Sequence, residues 1–185
     1  MTVIVGLVDE ESKCVYIGGD SQGSAEYDAH LRKDTKVFFV DNKQFLIGCA
    51  GSYRTSQLLR FSFKPPKQSI GKDVYEYMCT DFIDEVRKCL AKGGVLKVID
   101  DIEETEDSQF LVAYKGRLFS VDIDFQVGEY FTNYAACGIA RDFALGSLYS
   151  TVKKSSTHKI ALALNAAEEF SASVRRPFVI EKLEY

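Results

Sequence analysis

The sequence predicts an α+β domain in which antiparallel sheets are covered by helical layers. Three observations favour this class. The 185 residues are the length of one domain, at roughly 100–200 residues per domain. Apolar, β-rich runs follow one another across short polar turns, as in hairpins. Segments with helical periodicity occur in pairs between groups of predicted strands, an order typical of α+β domains. We therefore expect residues 1–185 to form a single domain.

The first half of the chain predicts four strands and one helix. The strands are expected at residues 2–8, 14–20, 36–40 and 45–49. A polar turn joins the first two strands, whereas residues 21–34 are polar and predict no regular element. A helix is expected to begin at Gly51-Ser52 and continue through Arg60. Pro65-Pro66 ends it, because proline cannot continue a helix.

The second half begins with the longest predicted helix. Ser69 is its candidate N-cap, apolar residues recur at helical spacing from Val74 to Val86, and Gly93-Gly94 stops it. Residues 100–107 predict an acidic loop. The later elements are predicted as strands 110–114, 117–121 and 130–137, helices 141–152 and 158–174, and a last strand 177–183.

Composition narrows the class of protein. The chain has 23 basic and 27 acidic residues, for a net charge of −4, whereas a nucleic-acid binder normally carries a basic stripe. Its cysteines are five in number, without a C-x-x-C pair, and only two histidines accompany them, which favours free thiols in a reducing compartment. No apolar run approaches the ~18–20 residues that cross a bilayer. We expect a cytoplasmic protein without cofactor, metal, nucleic-acid or membrane partner.

The chain begins Met1-Thr2. Methionine before a small residue is readily removed, and a threonine left at the terminus carries a hydroxyl nucleophile and an α-amine that can serve as its base. The amine has an ordinary pKa of about 7.7–8.0, close to working pH. Many cytoplasmic proteins begin in the same way, so this feature alone decides nothing.

Two charged residues follow at strand boundaries. Asp20 ends the predicted strand at Gly18-Gly19, and Lys36 begins another that continues with apolar Val37. An unpaired buried ammonium is costly, so Lys36 needs a partner, and Asp20 is the obvious candidate. The two form either a structural ion pair or a pair that lowers the pKa of a nearby amine and stabilises an alkoxide.

Eight short segments carry a further signal through their order and spacing: residues 2–6, 18–21, 36–38, 47–51, 134–138, 144–148, 163–170 and 177–183. Taken in order, they resemble the N-terminal-threonine peptidases of the proteasome β-subunit and bacterial HslV type. The resemblance covers nearly the whole chain. Residues 52–60 are also similar to an HslV-like subgroup of bacteria and phages. The resemblance implies a four-layer αββα sandwich, with two antiparallel sheets between helical layers.

The resemblance also implies roles for particular residues. Thr2 takes the position of the nucleophile, Asp20 and Lys36 take the positions of the flanking carboxylate and ammonium, and Gly48 that of the oxyanion-hole glycine. The substrate pocket is implied to be lined by Asp34, Leu46 and Ala50. A carboxylate at Asp34 would favour a basic residue before the cleaved bond. Alternatively, Asp34 pairs with Arg32 or Lys36 and leaves an apolar pocket.

Two positions depart from the family pattern. The family's Gly-Ser-Gly turn reads Gly138-Ile139-Ala140 here, so its hydroxyl is missing. The aspartate of the last helix corresponds to Glu169, with Ser171 and Ser173 as supporting hydroxyls.

The resemblance implies a threonine endopeptidase in a self-compartmentalising homo-oligomeric ring. Such a ring acts on unfolded polypeptides, with an ATPase unfoldase ring controlling access. Two alternatives stay open: a catalytically silent ring or scaffold subunit, and an N-terminal-nucleophile amidohydrolase that acts on small amides.

Overall fold

A computed structural model describes residues 2–25, 28–105, 107–151 and 154–185. The strands of these residues are β1 Ile4–Asp9, β2 Cys14–Gly19, β3 Gln22–Ala25, β4 Asp28–Leu31, β5 Val37–Val40, β6 Phe45–Ala50, β7 Leu96–Ile99, β8 Ile102–Thr105, β9 Gln109–Tyr114, β10 Arg117–Val121, β11 Val127–Gly128, β12 Tyr134–Cys137 and β13 Val179–Glu184. The helices are α1 Tyr53–Phe61, α2 Val74–Tyr77, α3 Ile83–Lys92, α4 Arg141–Ser150 and α5 Ser156–Phe170, with a π-helical turn, Met78–Phe82, between α2 and α3.

The strands form two main antiparallel sheets. One has four strands in the order β12-β1-β2-β13, and the other has five in the order β11-β10-β9-β6-β5. Two separate hairpins, β3–β4 and β7–β8, complete the described strands. The predicted α+β class, with antiparallel sheets and helices, is confirmed.

Three apolar clusters hold these elements together. The first joins the two sheets through side chains such as Ile4, Ile17 and Leu111. The second packs α1, α2 and α3 on the five-stranded sheet, and the third packs α4 and α5 on the four-stranded sheet. Because side chains alternate along a strand, Ile4 faces the other sheet while Val3 and Val5 face the helices. Strand β1 is therefore buried on both faces.

The two sheets approach closely at Gly48, because this residue has no side chain. A Cβ at Gly48 would lie 2.5 Å from Ile4 Cγ2 and 2.7 Å from Ile17 Cγ2. Both isoleucines belong to the opposite sheet and are fully buried. Gly48 therefore forms a notch in the five-stranded sheet that receives the side chain of Ile4, two residues beyond Thr2.

Two predicted loops contain hairpins instead. The segment 21–34 holds β3–β4, and the acidic segment begins within β7–β8. The strand β4 is exposed along its whole length. These short strands pair only with each other and bury no continuous face, so the sequence shows none of the apolar alternation that predicts a strand.

Other boundaries shift by a few residues. The long helix begins at Val74 rather than after Ser69, because Asp73 Oδ1 accepts hydrogen bonds from Tyr75 N at 2.7 Å and from Glu76 N at 3.2 Å. An aspartate in this position is a strong N-cap. The strand predicted from residue 130 begins at Tyr134. The predicted helix end at Val152 lies outside the described residues. Among those that are described, no helix is both long and apolar enough to span a membrane.

Candidate active site

The hydroxyl of Thr2 lies at the centre of a buried polar cluster. Thr2 Oγ1 donates to Asp20 Oδ1 at 3.1 Å and accepts a hydrogen bond from Lys36 Nζ. Strand pairing explains the first contact, because Ile4 in β1 is opposite Gly19 in β2. Thr2, two residues before β1, and Asp20, the residue after β2, are thereby brought together. Thr2 is only 2% exposed.

The carboxylate of Asp20 is held by backbone groups from three segments. Its Oδ1 accepts from Val3 N at 3.3 Å, and its Oδ2 accepts from Gln22 N at 2.9 Å and Arg175 N at 3.4 Å. The side chain has no exposed surface. These backbone donors satisfy the oxygens of a carboxylate that is shielded from water.

Lys36 supplies the cation of this cluster. It precedes β5, and its Nζ lies 2.7 Å from Asp20 Oδ1 and 2.7 Å from the carbonyl oxygen of Gln22. Burial lowers the pKa of Lys36, and the neighbouring Asp20 carboxylate opposes that shift. An ammonium in this position stabilises negative charge that develops on Thr2 Oγ1.

A cavity of about 430 Å³ opens beside Thr2. Its volume falls within the range of roughly 300–1,000 Å³ that is common for ligand sites. The other lining residues are Ala50, Gly51, Asp107, Gln109, Gly138, Ile139, Arg141 and Asp142. Thr2, whose hydroxyl contacts both an ammonium and a carboxylate, thus lines a substrate-sized cavity.

Gly51, rather than Gly48, lies at this cavity. Gly48 is in the middle of β6, between β5 and β9, and its missing side chain would face the core between the sheets. Gly51 follows the strand, lines the cavity and has φ +122°, a conformation that favours glycine. The expectation that Gly48 borders the reacting group is therefore corrected, because its position in the sheet directs it to the core.

Comparison with solved structures identifies similar chains over nearly the full length. The BPH protein of Thiobacillus denitrificans, solved alone, is 20% identical, with a TM-score of 0.79, over 100% of this chain and 98% of that one. Its complex with epoxomicin gives the same TM-score at 17% identity, over 99% and 98%. The HslV of Trypanosoma brucei has a TM-score of 0.68 at 16% identity, over all of both chains. No family model and no curated protein matches the sequence.

These likenesses identify the fold. It is that of the proteasome-like N-terminal-nucleophile hydrolases. A third relative of this kind is Anbu, an ancestral β-subunit, here the Gly-1 mutant from Hyphomicrobium sp. strain MC1. It has a TM-score of 0.69 at 15% identity, over 97% of this chain and 80% of that one.

Within this fold, the predicted pocket residues do not lie together. Ala50 lines the Thr2 cavity, but Leu46 is buried in the cluster between the sheets. Asp34 forms a bidentate pair with Arg32, in which Nε lies 2.8 Å from Oδ1 and Nη2 lies 2.7 Å from Oδ2. The guanidinium of Arg32 also lies over the ring of Tyr53, 3.9 Å from its centroid. The charge of Asp34 is therefore already compensated, as in the alternative interpretation.

The structure also shows where the two positions that depart from the family pattern, Ile139 and Glu169, lie. Ile139 lines the Thr2 cavity and brings no hydroxyl to it. Glu169 and Ser171 line a second cavity, which shares no lining residue with the first. Ser173 is buried. The structure thus does not bring Glu169 to Thr2, and the nearby segment contributes the backbone of Arg175 to Asp20 instead.

Some site residues were not predicted from the sequence. Gln22 and Arg175 act through backbone groups, which any residue type provides, so no sequence signal marks them. Gln109 and Arg141 reach the cavity through side chains, but the chain contains many comparable polar residues. Cys49 is not a competing nucleophile, because burial raises the pKa of its thiol to about 12.

Proposed function

We propose that this chain is a threonine-type peptidase subunit in which Thr2 becomes the nucleophile after removal of Met1. Met1 lies outside the described residues. One observation carries the proposal: Thr2, whose hydroxyl contacts both Lys36 Nζ and Asp20 Oδ1, lines a substrate-sized cavity. A merely structural ion pair would require neither a hydroxyl that contacts both charges nor an open cavity.

The proposed reaction uses the groups of this site in turn. Thr2 Oγ1 attacks the carbonyl carbon of a peptide bond, and its proton passes to the free α-amine of the same residue. Lys36 stabilises the forming alkoxide, and the backbone N–H of Gly51 is the proposed donor to the oxyanion. The C–N bond then breaks, and the departing amine takes the proton. Water hydrolyses the remaining ester and restores the Thr2 hydroxyl.

The fold supports the proposed assembly. We propose that the subunit is a four-layer αββα sandwich, with one helical layer outside each sheet. We propose that such subunits form a homo-oligomeric ring in the cytoplasm, which degrades unfolded polypeptides delivered by an ATPase ring. Heterologous interfaces generate a closed ring when their rotation closes.

A second candidate is a catalytically silent subunit of the same fold. It is favoured by Ile139, which brings no hydroxyl to the cavity, and by Glu169, which lines a different cavity. A third candidate is hydrolysis of small amides, because a cavity of about 430 Å³ holds a small molecule as readily as a peptide segment.

Covalent labelling distinguishes these candidates. Intact mass first establishes whether the purified chain begins at Thr2. A peptide epoxyketone or boronate should then add once, at Thr2, and Thr2→Ala should abolish the addition while the assembly remains intact. Thr2→Ser is the matched control, because it keeps the hydroxyl and the small residue after Met1. Labelling that persists in Thr2→Ala contradicts the assignment.

The remaining outcomes identify the alternatives. A chain that begins at Thr2, assembles and takes no label is the silent subunit. A chain that hydrolyses small amides but no peptide longer than a few residues is the amidohydrolase.

A further inference from the structure

The side chain of Gln109 connects two elements beside the Thr2 cavity. Gln109 begins β9, and its Nε2 donates to Asp122 Oδ1 at 2.6 Å. Its Oε1 accepts from the backbone N–H of Gly138 at 3.4 Å. Both ends of the amide are thus bonded to elements that are distant in the sequence.

The orientation of this amide is fixed by its partners. An ionised carboxylate only accepts hydrogen bonds, so Asp122 requires the NH₂ end of the amide. The carbonyl end must then face Gly138, whose backbone N–H is a donor. Reversing the amide would place like groups opposite each other at both ends.

The Gly138 turn lies directly against Thr2. Gly138 has φ +92°, and a Cβ there would lie 2.4 Å from the carbonyl oxygen of Thr2 and 3.2 Å from Ala50 Cβ. Strand β12, which ends at Cys137, pairs with β1, so Ile4 is opposite Cys137. A displacement of this turn therefore moves the backbone of the proposed nucleophile.

We propose that Gln109 is a positioning residue that holds the Gly138 turn against Thr2, and this inference rests on the proposed function. Ile139 supplies no hydroxyl, so the turn is held near Thr2 by backbone contacts and by this amide. Asp122 in turn fixes the amide. Gln109 acts through Gly138 and does not touch the reacting atoms.

Three variants test the chain of contacts. Gln109→Leu removes both hydrogen bonds at similar volume. Gln109→Glu keeps the acceptor for Gly138 but places a carboxylate against Asp122. The double variant Gln109→Glu/Asp122→Asn restores both bonds with reversed polarity, because the new amide NH₂ donates to the new carboxylate while Gly138 N–H still has its acceptor. Gln44→Leu is the control, since it removes a similar Gln–Asp bond of 2.7 Å on an exposed turn.

The measured quantity is the rate of covalent labelling of Thr2 at saturating peptide epoxyketone. A hydrogen bond contributes about 0.5–1.5 kcal/mol, so Gln109→Leu should slow the maximal rate by roughly two- to thirteenfold, with little change in the half-saturating concentration. Gln109→Glu should slow it at least as much. The double variant should label at a maximal rate within about twofold of that of the unaltered chain. Gln44→Leu should label at the same maximal rate as the unaltered chain.

A double variant that is no faster than Gln109→Glu overturns the proposal, as does a maximal rate that Gln109→Leu leaves unchanged. A second measurement separates this failure from failure of the proposed function. If the unaltered chain takes no label, hydrogen exchange at the Gly138 amide still decides the positioning. Gln109→Leu should accelerate that exchange and the double variant should restore protection, whereas unchanged exchange refutes the inference.

Discussion

Removing either charge of the buried Lys36–Asp20 pair should destabilise the chain, and removing the carboxylate should cost more. Breaking such a pair by removing one partner costs about 3–5 kcal/mol, because the other charge remains buried. The two partners are 5% and 0% exposed, so water does not replace the lost contact. The remaining hydrogen bonds decide where each variant falls in that range.

The two variants leave different hydrogen bonds in place. In Lys36→Met, Asp20 keeps the Thr2 hydroxyl and three backbone donors, so we expect a loss of about 3 kcal/mol. In Asp20→Asn, the NH₂ group must face donors, either Gln22 N and Arg175 N or Thr2, Val3 and Lys36. That adds at least two unsatisfied contacts to an unpaired ammonium. We expect about 5 kcal/mol or more.

Urea unfolding at neutral pH measures both losses. The double variant Asp20→Asn/Lys36→Met should cost less than the sum of the single changes, because it leaves no unpaired charge. Lys182→Met is the control, since it removes an exposed lysine 2.7 Å from Glu184 and should change the free energy of unfolding little. A loss in Lys36→Met equal to or greater than that in Asp20→Asn would refute the reasoning.

Three further predictions concern the site. The labelling rate of Thr2 should fall at alkaline pH, because Lys36 must keep its proton. Burial lowers the pKa of Lys36, so a pH profile should show this fall below the ordinary lysine pKa of about 10.4. A labelling rate that stays constant up to that pH contradicts the prediction. Asp34→Ala should leave the ranking of arginine and leucine peptides unchanged in a fluorogenic panel, because Arg32 already compensates the carboxylate; a selective loss of arginine cleavage would restore the basic pocket. Gly48→Ala should lower stability by about 1–3 kcal/mol in thermal unfolding because the new methyl overlaps Ile4, whereas Gly146→Ala, which meets nothing within 4 Å, should not; equal effects would exclude the packing notch.

The sequence predicted the elements whose burial leaves a periodic pattern. Strand β2 and helix α1 lie within a residue or two of the predicted limits, because apolar runs and a serine N-cap mark them. The hairpins β3–β4 and β7–β8 were missed, since their strands are short and carry no sustained alternation of apolar and polar residues. The start of the long helix was misplaced because Ser69 and Asp73 are both good capping residues, and only the structure shows which one accepts the bonds.

The site was predictable where charge demanded a partner. Lys36 in an apolar strand required a carboxylate, and Asp20 is the group it contacts. The backbone donors that hold Asp20 leave no mark in the sequence. Gly48 and Gly51 both follow apolar residues near the same strand end, so residue type alone could not show which lies at the cavity.

The notch that receives Ile4 has a mechanical consequence. Thr2 lies two residues before β1 of one sheet, and Lys36 directly precedes β5 of the other. The separation of the Thr2 hydroxyl and the Lys36 ammonium therefore depends on the spacing of the two sheets. Heat, or a substitution that leaves a cavity between the sheets, should therefore slow the labelling of Thr2 while both sheets are still folded. The core between the sheets therefore sets the distance between Thr2 and Lys36, and the proposed activity depends on how tightly that core is packed.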